Sequence, residues 1–195
     1  MQLGPLVDTH CHLDSARFGA DVPEILERAA GAGVMDVVLP GVWPDGFEGL
    51  LRLSLQPSPV RLHVAWGLHP QVLPDVPAGA DDVAMEEVRR MCERHRPVGI
   101  GECGLDYRVD TVAAPPERQR RVLRFHLELA RDLRLPVLLH CLSAHDDLLV
   151  ELDRVGPLPA GGIMHSYSGS AEQARPFLKR GLHLSFTGPV TWTGA

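Results

Sequence analysis

Short apolar runs and longer amphipathic stretches alternate along the chain, and the two periods predict a regular succession of strands and helices. The runs at Pro5–Thr9, Met35–Leu39, Arg61–Trp66, Pro97–Gly101, Pro136–Leu139, Gly161–Met164 and Leu182–Phe186 read as seven strands. Six helices are expected between them. The first opens near Pro23 and stops at Gly31 or Gly33, where a left-handed cap is easy. The clearest runs from Glu117 to Arg134, after Pro115-Pro116, with Leu123, Leu127, Ala130 and Leu133 on one face. Pro136 ends it. The others are expected near Phe47–Leu55, Asp81–His95, His145–Val155 and Ala171–Arg180. This alternation predicts an α/β fold with a parallel sheet flanked by helices.

Chemistry-bearing residues recur where the apolar runs stop, at Asp8-Thr9-His10-Cys11-His12, Gly101-Glu102-Cys103-Gly104, Leu138-Leu139-His140-Cys141 and Ile163-Met164-His165-Ser166. In a parallel barrel the carboxyl ends of the strands form one rim, so these segments would converge there. That favours a TIM-type (β/α) barrel over an open doubly wound sheet. An eight-fold barrel usually takes about 250 residues, whereas the 195 residues here carry seven strands up to Thr193-Gly194-Ala195. The expectation is therefore a single domain, 1–195, lacking strand eight and its flanking helices.

His10 and His12 are two residues apart, and alternate side chains of an extended segment point the same way. His140 and His165 are separated by about one βα unit, which places them on adjacent strands. Glu102 has two oxygens and can bridge two cations roughly 3.5 to 4 Å apart. An isolated histidine at a strand end is more often structural, but His10, His12, Glu102, His140 and His165 together point to a metal centre. Imidazole suits zinc or manganese better than magnesium. His63, His95, His126 and His183 fall within elements and read as structural, and His145 as a capping or solvated residue. The strand period turns Cys11, Cys103 and Cys141 toward the helix layer.

The 19 basic and 25 acidic side chains give a formal charge of -6, which argues against non-specific coating of nucleic acid. Four cysteines without a Cys-x-x-Cys pair, and no secretory leader pattern, lead to the expectation of a cytoplasmic location. No run is long enough to predict a membrane span.

Asp8-Thr9-His10-Cys11-His12-Leu13-Asp14, Gly67-Leu68-His69-Pro70, Gly101-Glu102-Cys103-Gly104-Leu105-Asp106-Tyr107, Leu135-Pro136-Val137-Leu138-Leu139-His140 and His165-Ser166-Tyr167-Ser168-Gly169-Ser170 resemble the TatD family of metal-dependent deoxyribonucleases over nearly the whole chain. The resemblance implies an amidohydrolase-like barrel, two divalent metal ions (Zn, Mn or Mg), and hydrolysis of phosphodiester bonds in DNA, with no obligate protein partner evident. It would place one metal on His10 and His12, the other on His140 and His165, and Glu102 on both as the catalytic carboxylate. His69 and Asp106 match positions near the substrate mouth.

Two departures from the family pattern bear on function. A Thr-Asp-x-Pro-type segment on strand eight, whose Asp completes the first metal site, has no counterpart before Ala195. Leu142 stands where many members carry an Arg able to grip phosphate. Arg89-Arg90 and Arg120-Arg121 lie on predicted helices and read as solvated faces. The same rim chemistry would serve a small-molecule ester or amide hydrolase or deacylase, and the departures also fit a non-catalytic remnant.

Overall fold

The computed structural model describes residues 4–108 and 113–191. Its elements follow the predicted alternation: β1 (Leu6–Asp8), α1 (Val22–Gly31), β2 (Val34–Pro40), α2 (Pro44–Ser54), β3 (Arg61–Trp66), α3 (Asp81–Arg94), β4 (Gly99–Asp106), α4 (Pro116–Leu133), β5 (Val137–Leu142), α5 (His145–Val155), β6 (Gly162–Met164), α6 (Ala171–Lys179) and β7 (Leu182–Leu184). All neighbouring strands are parallel, in the order β1 to β7. The sheet curls into most of a barrel. In a flat sheet β1 and β6 would lie about 24 Å apart, at roughly 4.8 Å per strand, yet the rings of His10 and His165, just past these two strands, stack with centroids 3.6 Å apart.

One apolar cluster fills the space between sheet and helices, with Leu39, Phe47, Trp66, Ile100, Leu105, Leu123, Leu127 and Leu139 almost wholly excluded from solvent. Strand β4 is buried along all eight residues, as expected of a strand covered on both faces. Helix α4 carries the widest buried face, and Gln119 and His126 belong to it alongside Val122, Leu123, Leu127, Leu129 and Ala130. No helix among the described residues is long and apolar enough to cross a membrane.

The largest boundary difference concerns β4. The apolar run predicts a strand ending at Gly101, but pairing continues to Asp106, so Glu102 sits within the strand. Glycines make this possible. A Cβ on Gly101 (φ +136°) would lie 2.4 Å from the Leu138 carbonyl oxygen, and one on Gly104 (φ +151°) would lie 1.9 Å from that of His140. Only glycine lets β4 lie this close to β5 in this conformation. The register between the two strands shifts between Ile100 and Cys103, on either side of Glu102.

Candidate metal centre

Main-chain hydrogen bonds fix where each candidate ligand leaves its strand. The Cys11 N–H, between His10 and His12, donates to the Val38 carbonyl at 3.0 Å, and that of His69 to Val42 at 2.9 Å. The Glu102 N–H donates to Gly41 at 3.1 Å and that of His165 to Leu139 at 2.8 Å. The sheet ladder is thus carried into the loops, so side chains from five parts of the chain are aimed at one point.

At that point stands Glu102, 1 % exposed. His10 Nε2 lies 2.9 Å and His12 Nε2 3.3 Å from its Oε2. His69 Nε2 lies 3.2 Å and His140 Nδ1 3.3 Å from its Oε1. Each carboxylate oxygen therefore faces two imidazole nitrogens. Two groups of ligand-type atoms, His10–His12–Glu102 and His69–Glu102–His140, each lie within 4.8 Å of one another.

The first group has the dimensions of half a coordination shell. Its edges are 2.9, 3.2 and 3.3 Å, and tetrahedral zinc with Zn–N of 2.0–2.1 Å implies donor–donor edges of about 3.3 Å. Glu102 Oε2 is buried without a partner in hydrogen-bonding geometry despite the two nitrogens beside it. That donor set fits a divalent ion with an affinity for nitrogen.

Burial alone would raise the Glu102 carboxyl, but the four imidazoles around it hold it well below the usual carboxylate range. Burial lowers His69, against the pull of Glu102. Burial likewise opposes charge on His12 and His140, but their carboxylate neighbours raise both. His165 is pushed down to about 4 by burial and by the adjacent His10.

His165 lines the same cavity as the other histidines, stacked on His10, with its Nδ1 3.4 Å from the Ser185 hydroxyl. In this structure it is His69, expected near the substrate mouth, that stands beside Glu102 and His140. Asp106 meets the cluster from behind, its Oδ2 lying 3.1 Å from His140 Nε2. That contact orients the ring, with Nε2 toward Asp106 and Nδ1 toward Glu102. Asp106 also accepts from Gln71 Nε2 at 2.7 Å and from the Arg108 guanidinium at 3.1 Å.

Gln119 joins the site although no ligand pattern marks it in the sequence. It is 1 % exposed, accepts from the Asp106 N–H at 2.7 Å and donates to the Asp106 carbonyl at 3.0 Å. Its place on the buried face of α4, in phase with Val122 and His126, is the signal that would have found it. His126 is structural as expected: its Nε2 accepts the Leu68 N–H at 3.1 Å, which tethers the segment leading to His69. His145 is not solvated but buried against Tyr167 and Phe177.

Cys103 lies in the core as expected, its thiol 3.7 Å from the Leu138 carbonyl oxygen. Cys141 belongs to the same buried core and Cys11 packs half-buried against it, while both also border the cavities around the cluster. Burial raises their thiols to about 11 and about 12, so neither is a ready thiolate. Arg120 and Arg121 are not merely solvated: Arg120 bridges Tyr107 and Asp147, and Arg121 reaches Asp82 on α3.

The cavity over the cluster measures about 220 Å³ and includes Leu142 and Ser166 in its lining. It opens chemistry from five strands to solvent, and among the described residues its wall holds no lysine or arginine.

Residues 7–195 match the family model described as TatD related DNase. The uncharacterized metal-dependent hydrolase YjjV of Escherichia coli K12 is 37 % identical over 191 residues, covering 97 % of this chain and 70 % of that protein. The 3′-5′ ssDNA/RNA exonuclease TatD of Salmonella typhimurium LT2 is 30 % identical over 189 residues, covering 95 % of this chain and 68 % of the exonuclease. The crystal structure of the YjjV protein superposes with a TM-score of 0.83 at 35 % identity, over 96 % of this chain and 70 % of that one.

Proposed function

Since the chain belongs to the family of TatD-related DNases and is a metal-dependent hydrolase, we propose that it hydrolyses phosphodiester bonds of single-stranded DNA with two divalent metal ions held around Glu102. The observation that carries this reading is the division of the Glu102 carboxylate, with His10 and His12 facing one oxygen and His69 and His140 the other. His165, stacked on His10 at the cavity wall, is a further candidate ligand.

Divalent ions held at this place would supply Lewis acidity, lowering the pKa of a water and offsetting charge on the phosphoryl oxygens. The protein's share is to hold the donors. Glu102 stays ionised between two imidazole pairs, which would suit it to hold two ions and makes it a poor proton acceptor. Asp106, itself gripped by Gln119 and Gln71, keeps the His140 ring turned with Nδ1 toward the cluster. Leu142 leaves the cavity wall apolar where a guanidinium would bind phosphate, so substrate grip has to come from elsewhere on the rim.

The test is a divalent-dependent nuclease assay on single-stranded oligonucleotides labelled at the 5′ or the 3′ end. Stepwise shortening from the 3′ end with manganese or zinc, abolished by EDTA and by Glu102→Ala, is the expected result. Release of product from a small ester or amide with no cleavage of DNA would instead assign the centre to carbonyl chemistry.

A further inference from the structure

A second cavity, of about 740 Å³, adjoins the histidine cluster and shares His10, His12 and His69 with the first. Its remaining wall includes Arg17, Phe18 and Asp14. The segment carrying them is a series of turns anchored on a proposed ligand: the Ser15 N–H donates to the His12 carbonyl at 3.1 Å, Phe18 to Ser15 at 3.0 Å and Asp21 to Phe18 at 2.8 Å. Phe18 and Arg17 are thereby held at a set distance from the place where bond cleavage would occur.

Among the described residues, Arg17 is the one cation in the wall of either cavity, and its guanidinium has no carboxylate partner. Most other arginines near the rim are engaged, as Arg120 is by Asp147 and Arg118 by Asp81. Phe18 is half-buried, packed against the core and among the residues lining the cavity. An aromatic ring beside an unpaired guanidinium is the combination that single-stranded nucleic acid uses, since every base has a π-face and every linkage a negative charge. Asp14 is exposed in the same cavity. A carboxylate there suits a sugar hydroxyl or base amine and disfavours a second phosphate. With a formal charge of -6 the molecule gains little from long-range attraction, so local contacts of this kind must hold the strand.

We propose that this cavity is a nucleotide subsite adjoining the metal centre, in which Phe18 stacks on a base and Arg17 engages a backbone phosphate. The inference rests on the nucleic-acid reading above. It also accounts for how a site with Leu142 in place of a phosphate-gripping cation retains its substrate.

The test is fluorescence anisotropy of a labelled phosphorothioate octathymidylate, which resists hydrolysis, and of an abasic oligomer of the same length. Both are titrated in manganese with the wild-type chain, Phe18→Leu and Arg17→Gln. Leucine keeps the packing of Phe18 on the core and removes its π-face. Phe18→Leu is expected to weaken thymidylate binding by roughly 5- to 150-fold while leaving the abasic oligomer unaffected. Arg17→Gln is expected to weaken both and to reduce the slope of log affinity against log salt by about 0.7. Wild-type binding to neither oligomer, or Phe18→Leu binding thymidylate as the wild type does, would overturn the subsite, and an unchanged salt slope in Arg17→Gln would overturn its phosphate contact. The expected pattern in a protein that releases no nucleotide would sink the hydrolytic reading and leave the subsite standing. Nucleotide release with both variants indifferent would do the reverse.

Discussion

Glu102 and His69 make different demands on the cluster, and the difference is measurable. Glu102 offers an oxygen to each pair of imidazoles, whereas His69 serves one of them. Glu102→Ala should therefore lower the metal-to-protein ratio at both positions and His69→Ala at one, as read by elemental analysis; equal ratios in the two variants would count against the bridge. His126 carries a separate prediction, about stability. Burial lowers it to about 4 from 6.5, so the folded state resists a proton that the unfolded chain accepts. The stabilisation is complete above about pH 6.5 and is lost as the pH falls toward 4, at most about 3 kcal/mol for the shift. Urea unfolding of His126→Gln at pH 7.5 and 4.5 should show a loss about 2 to 3 kcal/mol smaller than that of the wild type, and an identical loss would refute the assignment. His10, His12, Glu102 and His140 could all be picked out in the sequence from residue type and position. Which histidine would stand beside His140 could not, because His69 follows β3 and reaches Glu102 only through the curl of the sheet.

Helix α4 ties the helix layer together through buried charge. Arg118 meets Asp81 of α3 with a forked pair of hydrogen bonds at 2.7 and 2.9 Å, and caps the Leu73 and Val76 carbonyls at 2.7 and 3.0 Å. Asp81 is 0 % exposed. Removing the guanidinium leaves that buried charge only the more distant, half-exposed Arg121 guanidinium at 3.6 Å, so Arg118→Met should cost on the order of 3 kcal/mol in urea unfolding. Adding Asp81→Leu should recover much of the loss. No recovery would mean that the carbonyl caps dominate. On the sheet, Gly104→Ala should displace His140, because the added methyl would fall 1.9 Å from that residue's carbonyl oxygen. Reduced metal content together with a lowered unfolding temperature is the expected outcome. The periodicity of α4 was plain in the sequence, and so were its limits. The extent of β4 was not, because Glu102 and three glycines interrupt the apolar run that marks a strand, and continued pairing depends on the neighbour β5.

Folding and metal binding should be linked across the chain as a whole, since the donors come from segments as distant as His10 and His140 and meet only when the sheet is curled. Ions that bind this native cluster and not the unfolded chain stabilise by about 2.7 kcal/mol at a hundred times their dissociation constant. For a domain of this size that is roughly 5 to 11 °C in unfolding temperature. Zinc or manganese should raise the transition by this order, EDTA should reverse it, and Glu102→Ala should abolish the response; a metal-independent transition would argue that the cluster is structural. Strand–helix alternation, the parallel sheet and a rim of histidines around one carboxylate are local or periodic properties, written in which residues recur and at what spacing. They were legible before any coordinates. Closeness between strands is different in kind. The stacking of His10 on His165, the approach of His69 to Glu102, the Gln119 clasp on Asp106 and the second cavity at Arg17 and Phe18 all depend on curvature and on side chains from distant segments sharing one volume. No spacing along the chain encodes those distances, so tertiary packing alone decided them.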